Sequence, residues 1–424
     1  MSALAIVTLA RGHQVWGSDR HYDRGLFDNH FRQLIDAGVH MVPQDGSGVT
    51  DDIDAVVVSS AVEPSIPDVM AAQSKNKPLV KRARLLADIA NVAPSITVAG
   101  TNGKSTVTGM IGWILHESGL DPTIINGGIL RNFGCNAVVG KGERIVLETD
   151  ESDGSVTLFH PDIAVLTNVS EDHKDMAELE TIFRCYLSQS KHQVLNRDCP
   201  VVSKIGRDYP EAVWYGMADD ERVGLDLMVP GKHNYSNALA AIAVAKLCGI
   251  DHRDATKALS KFQGIQSRLE VIGRAGGISV IDDFAHNPDK IDASLAALKE
   301  GNQGRLILMY QPHGFGPTKR QKDNLIRVFA RHLTENDVFY MPEIYYAGGT
   351  ADKSISSRDI IEMLQEKGLD VRFMTNKMDI QNDILNIARS GDTICIMGAR
   401  DDSLRQMARE IFNLLGNIDK FAWK

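Results

Sequence analysis

The sequence predicts an α/β protein built of three successive units, and three observations carry that expectation. At 424 residues the chain is long enough for about three domains of roughly 150 residues each. Short apolar runs alternate with helical stretches over most of its length, the pattern of parallel sheets covered by helices. At residues 95–117 an apolar strand runs straight into a glycine-rich turn and then a helix. Hydrophobic residues make up 43% and charged residues 24% of the chain, with 36 glycines and 14 prolines dispersed along it. That composition excludes collagen-like and wholly disordered chains.

In the first unit, residues 1 to about 90, ALAIVTLARG reads as a helix, HQVWGSD as a strand, FDNHFRQLIDAG as an amphipathic helix, DAVVVSSAV as a strand and PDVMAAQSKN as a helix. The opening helix has no strand or glycine loop before it. The first strand of such a unit is therefore expected to be absent, either because translation starts here or because the sequence begins at an internal methionine. The second unit, 91 to 267, has strands at SITVAG, RIVLETD, DIAVLTN, QVLN and PVVSKI, and helices at VTGMIGWILHESG, NYSNALAAIAVAKLCG and HRDATKALSKF. The third, 268 to 424, alternates strands GISVIDDFA, RLILMYQ, DVFYMPE and DTICIMGA with helices DKIDASLAALKE, KDNLIRVFARHL, DIIEMLQEKG and RQMAREIFNLLG.

The formal net charge is −9, so no global basic field exists to hold a nucleic acid or an anionic membrane. A polyanionic ligand would need local positive sites. Five scattered cysteines form no CxxC pair, which argues against a disulfide framework or a zinc cluster and for a reducing, cytoplasmic compartment. The first residues lack a basic stretch and a small-residue cleavage site. No run approaches the roughly 18 apolar residues of a membrane span. The expected protein is soluble, without nucleic-acid or membrane partners, and a monomer or dimer.

The strongest chemical signal is Gly100-Thr101-Asn102-Gly103-Lys104-Ser105-Thr106 between strand and helix. Glycines let backbone N–H groups turn toward phosphate oxygens, the helix N-terminus adds positive charge, lysine neutralises the β- and γ-phosphates, and the next hydroxyl can ligate Mg²⁺. The full phosphate-loop spacing would place glycine at 98, where Val98 stands, so this is a shortened variant. Glu148 ends one strand and Asp172-His173 follow another, at the strand ends where α/β sheets bind ligands. A carboxylate and an imidazole there can hold one or two Mg²⁺ beside a triphosphate. Asp150, Glu151 and Asp153 crowd the same loop, where they read partly as solvated or capping groups. Two further clusters are GKHNYSN at 231–237 and DDFAHNP at 282–288. Asn234 and Asn237 share a helix face and can either read a base edge or cap the helix. Asp283 and His286 lie in a strand-to-helix turn that can contact ribose or phosphate, or be an ordinary capped turn.

Taken in order, GTNGKST, Glu148 in VLETDESDGS, Thr167-Asn168 with Asp172-His173, PGKHNYSN, Arg268 and DDFAHNP resemble the motifs of the Mur ligase superfamily, over nearly the whole chain. The resemblance implies a Rossmann-like N-terminal domain lacking its first strand, a central phosphate-loop ATPase domain and a C-terminal Rossmann-like α/β domain, forming one site at their junction. It implies an ATP-dependent ligase of peptidoglycan precursor synthesis, using ATP and Mg²⁺, a UDP-N-acetylmuramate-type nucleotide-sugar and an amino acid or short peptide. In that reading Lys104 and the loop Gly100–Thr106 hold the phosphates. Ser105 and Glu148 hold one Mg²⁺ and His173 a second. His233, Asn234 and Asn237 seat adenine, Arg268 and Asp283 reach ATP, and His286 lies at the reacting end.

Within the superfamily, DESDGS, WGSD, VVVSSAV and VKRARLLADI resemble the branch that adds L-alanine, whereas DDFAHNP leans toward murein-tripeptide recycling ligases and folylpolyglutamate or cyanophycin synthetases. Two features depart from the alanine branch. The sugar-nucleotide glycine loop is represented only by its last two residues, Met1-Ser2. After Gln311-Pro312-His313, Gly314 and Pro317 stand where that branch carries arginines, and Lys319 and Arg320 are candidates to replace the lost charge. The position at which several relatives carry a carbamylated lysine falls on Ser188, so no modified lysine is expected.

Overall fold

The structure is a computed structural model that describes residues 1–25, 29–59, 62–170, 175–218, 224–229, 231–300, 304–346, 352–401 and 403–421, with the side chains at 29–30 and 417–421 excepted. The backbone divides into two compact units, residues 1–228 with 235–265, and residues 229–234 with 266–424.

In chain order the strands of the first unit are β1 (Trp16–Gly17), β2 (His40–Met41), β3 (Val56–Val58), β4 (Leu79–Lys81), β5 (Ser95–Ala99), β6 (Thr123–Leu130), β7 (Cys135–Val138), β8 (Ile145–Glu148), β9 (Ile163–Leu166), β10 (His192–Asn196) and β11 (Val213–Tyr215). A seven-stranded sheet runs β11-β10-β9-β5-β8-β6-β7. It is parallel except for β7, which pairs antiparallel with β6. All five residues of β5 are buried, as expected of a central parallel strand covered on both faces. β1 with β2 and β3 with β4 form two separate parallel pairs rather than one continuous sheet. The helix Ser2–Ala10 buries Ala3, Leu4 and Val7 in a cluster with Leu86, Ala87, Ile125, Ala137 and Leu147, so the opening helix is anchored on the seven-stranded sheet.

The second unit holds β12 (Glu270–Ala275), β13 (Ile278–Asp283), β14 (Leu306–Gln311), β15 (Val338–Met341), β16 (Asp370–Phe373) and β17 (Thr393–Gly398), ordered β12-β13-β17-β14-β15-β16. Only β12 is antiparallel to its neighbour. Along β14, Leu306, Leu308 and Tyr310 enter one core with Leu325 and Phe329, and Ile307 and Met309 enter another with Ile394 and Ile411. The two-residue alternation of the strand thus serves two helical layers.

The run PVVSKI, expected as a strand, is the helix Pro200–Gly206. Pro200 sits in the first turn, where its missing N–H costs no hydrogen bond and its fixed φ suits a helix. Val202 and Ile205, three apart, become buried together with Gly206. The helix Phe315–His332 begins well before the expected KDNLIR, after Gly314 at φ +73°. Lys319 is consequently inside the helix, donating to Asp352 at 3.0 Å and to Ser354 at 2.7 Å. No helix among the described residues is long and apolar enough to cross a membrane.

Candidate active site

The glycine loop joins the buried end of β5 to the helix Lys104–Glu117, with Gly103 as its N-cap at φ +85°. Gly100 has φ +125°, and a Cβ there would lie 2.3 Å from Thr167 Oγ1 and 2.8 Å from the Asn168 carbonyl oxygen. A Cβ on Gly103 would lie 2.6 Å from Asn237 Oδ1. Both positions therefore require glycine, by conformation and by space. The turn is held from the end of β9: Thr101 N–H donates to the Asn168 carbonyl at 2.9 Å, Asn102 N–H to Asn168 Oδ1 at 2.9 Å, and Thr167 Oγ1 to the Asn102 carbonyl at 2.7 Å. The TN pair next to the loop is thus its scaffold. Asn102 Oδ1 is buried without a hydrogen-bond partner, so the loop carries a polar atom that a ligand or water can satisfy.

Lys104 Nζ donates to the Gly100 carbonyl at 2.6 Å and forms an ion pair with Glu151 at 2.9 Å. Glu151 is buried, and that burial pushes its carboxyl above the usual range while Lys104 opposes the shift. Its role is one that the crowd of acids at 150–153 concealed: of these acids it is Glu151 that turns to the lysine. Ser105 Oγ donates to Glu148 Oε2 at 2.6 Å. A Cβ on Gly127, in the strand β6 that sequence reasoning did not foresee, would lie 1.8 Å from Glu148 Oε1. Gly127 leaves the space that this carboxylate fills. A hydroxyl and a carboxylate beside a phosphate cradle fit Mg²⁺, which takes oxygen ligands and keeps most of them as water and phosphate. Among the described residues no group of three or more His, Cys, Asp or Glu can hold a metal on protein ligands alone. Asp172 and His173 lie outside the described residues.

Gly100–Thr106, Glu148 and Asn237 therefore come together in the first unit. Thr106 continues the first turn of the helix behind Ser105. His233 and Asn234 open the helix Lys232–Leu247 and both are well buried or half-buried. Burial depresses the His233 pKa, with Glu300 opposing.

In the second unit, Arg268, Asp283 and His286 are brought close. The Arg268 guanidinium lies 5.1 Å from the Phe284 ring centre, and the Phe284–His286 and His286–His313 ring centres are each 5.4 Å apart. Asp283 is buried, accepts from Leu269 N–H at 3.1 Å and has no hydrogen-bond partner on Oδ2. Burial raises its pKa. His286 Nδ1 lies 2.9 Å from the Phe284 carbonyl. A carbonyl only accepts, so Nδ1 carries the proton and Nε2 keeps its lone pair. Burial, then Lys290, depresses the His286 pKa to about 4, so the ring is neutral at pH 7.

Residues 1–93 match the family described as Mur ligase family, catalytic domain; residues 98–222 the Mur ligase middle domain; and residues 267–400 the Mur ligase glutamate ligase domain. The chain is 34% identical over 436 residues to UDP-N-acetylmuramate–L-alanine ligase of Desulforamulus reducens, covering 95% of this chain and 93% of that one. It is 35% identical over 434 residues to the enzyme of that name from Dictyoglomus turgidum, covering 94% and 91%. The crystal structure of the Thermotoga maritima UDP-N-acetylmuramate-alanine ligase MurC has the same fold, with a TM-score of 0.80 at 24% identity over 98% of this chain and 96% of that one. A glycine loop whose serine bonds Glu148 and whose lysine pairs with Glu151, set in a chain that matches three successive segments of one family, makes this protein a member of the Mur ligase family and an ATP-dependent ligase.

Proposed function

We propose that the chain joins L-alanine to UDP-N-acetylmuramate at the expense of ATP, in the cytoplasm, as a step of peptidoglycan precursor synthesis. The observation that carries the ATP half is the pairing of Ser105 with Glu148 and of Lys104 with Glu151 where the glycine loop follows β5 and Glu148 ends β8. The full-length likeness to alanine-adding ligases supports the two other substrates. The five cysteines, all free thiols, suit a reducing compartment. The proposed division is 1–90 for the nucleotide-sugar, 91–267 for ATP and 268–424 for the amino acid.

In this reading a carboxylate oxygen of the acid attacks the γ-phosphorus, the bond to the β-phosphate oxygen breaks, and ADP leaves. The amine nitrogen then attacks the carbonyl carbon of the acyl phosphate, the C–O bond breaks, inorganic phosphate departs and the nitrogen loses a proton. Lys104 and the loop N–H groups stabilise the charge on the phosphoryl group in transfer. Ser105 and Glu148 would hold Mg²⁺, with His173 the candidate for a second ion. When bound, Mg²⁺ would supply neutralisation of the negative charge on the phosphates and the reacting carboxylate. His233, Asn234 and Asn237 are the adenine candidates, and Arg268 and Asp283 are further candidates for contact with the nucleotide. His286, a neutral ring at pH 7, is the candidate contact at the reacting end.

The test is phosphate release from Mg·ATP with UDP-N-acetylmuramate and one amine at a time: L-alanine, other amino acids, and the L-Ala-γ-D-Glu-diaminopimelate tripeptide. Release that requires both the sugar nucleotide and L-alanine is the expected result. A requirement for the tripeptide would replace this reading with a recycling ligase, and release with no pair would mean that another acid is the substrate.

A further inference from the structure

We propose that Arg405, on the final helix Ser403–Phe421, is a positioning residue: it clamps the strained turn 267–269 and so aims Arg268 and Asp283. The inference rests on the reading of those two residues as nucleotide contacts.

Ser267 and Leu269, on either side of Arg268, have φ of +55° and +46°. Neither is glycine, and the left-handed conformation is strained for any residue that carries a Cβ. Such strain persists only where the surroundings over-determine it, and here they do. Ser267 N–H donates to Glu270 Oε2 at 2.8 Å, Ser267 Oγ to Asp282 Oδ2 at 2.6 Å, and Phe284 N–H to the Ser267 carbonyl at 2.7 Å. Leu269 N–H reaches Asp283 at 3.1 Å while its side chain is buried in the core.

The weak point of that frame is electrostatic. Glu270 and Asp282 are direct partners across the antiparallel β12–β13 pair, and both are buried. Two carboxylates in that relation repel. Arg405 lies between them: Nη2 donates to Glu270 Oε1 at 2.9 Å, and Nη1 to Asp282 Oδ2 at 2.9 Å, to Ser267 Oγ at 3.3 Å and to Glu270 Oε2. One guanidinium fork therefore ties both carboxylates and the hydroxyl of the strained serine. A lysine carries the charge but not the planar fork. Without the fork nothing ties the side chains of Glu270, Asp282 and Ser267 to one another through a single group, the turn relaxes toward ordinary φ values, and Arg268 changes its aim.

Three variants decide this in the full-length protein, together with Arg268→Ala combined with each of the last two: Arg268→Ala, Arg405→Lys, and the charge-free triple Arg405→Met/Glu270→Gln/Asp282→Asn, which keeps the proposal testable should the lysine variant fold poorly. KM for ATP, kcat of phosphate release and thermal unfolding are measured for each. The expected result is a KM for ATP raised at least about five-fold in all three, with Arg268→Ala adding little further in either Arg405 background because both changes act through one contact. If Arg268→Ala leaves KM unchanged, the nucleotide reading of Arg268 fails and the proposal falls with it. If Arg268→Ala raises KM but the folded Arg405 variants alter only the melting temperature, Arg405 is structural and the clamp is overturned.

Discussion

The ammonium of Lys104 is held by Glu151 at 2.9 Å and by the Gly100 carbonyl at 2.6 Å, at the mouth of the glycine loop. The lysine is thereby folded back on the protein, and a phosphate must compete with a buried carboxylate for it.

Glu151→Gln removes that competitor. We expect binding of a non-hydrolysable ATP analogue to tighten several-fold by titration calorimetry, since a nearby carboxylate also repels the triphosphate. In a Lys104→Ala background the gain should shrink, because most of it is routed through the lysine. Lys104→Ala alone should lower turnover by at least about 10²-fold with its far-UV circular dichroism unchanged. An active Lys104→Ala enzyme would remove the glycine loop from the mechanism.

Gly127→Ala tests the space beside Glu148. Its methyl group would stand 1.8 Å from Glu148 Oε1, so either the carboxylate or the strand must shift. The Mg²⁺ concentration for half-maximal phosphate release is expected to rise by about ten-fold or more, on the scale of losses seen when the partners of a metal ligand are disturbed. An unchanged Mg²⁺ requirement would separate Glu148 from the metal.

His286 provides a pH signature. Its folded pKa is depressed to about 4 against roughly 6.5 unfolded. The unfolded chain therefore binds a proton that the folded ring refuses, and this stabilisation is present above about pH 6.5 and lost as pH falls toward 4. A shift of that size corresponds to up to about 3 kcal/mol. Urea unfolding at pH 7.5 and 4.5 should show a smaller acid loss for His286→Gln than for the parent chain. Equal losses would mean that the ring is charged in the fold.

The parts of this protein that its sequence determines by itself are those settled within a few residues. A buried apolar strand, two glycines at a tight turn and a helix that starts on Lys104 are local matters of conformation and hydrogen bonding, and their spacing announces a phosphate cradle. The uninterrupted apolar run of β14 likewise announces a strand covered on both faces. Local pattern misled at PVVSKI, where β-branched residues suggest a strand but Pro200 begins a short helix.

The tertiary structure decided what depends on distant parts of the chain. Asp150, Glu151 and Asp153 are equivalent in sequence, and only the loop's path turns Glu151 to Lys104. Gly127 is an unremarkable strand glycine until β6 places it against Glu148. Arg405 stands more than a hundred residues from Ser267, yet its guanidinium bonds that serine's hydroxyl. Cradles and caps are written in neighbouring residues because their hydrogen bonds close over one turn, whereas ion pairs and steric vacancies form between surfaces that only the packed sheets bring together.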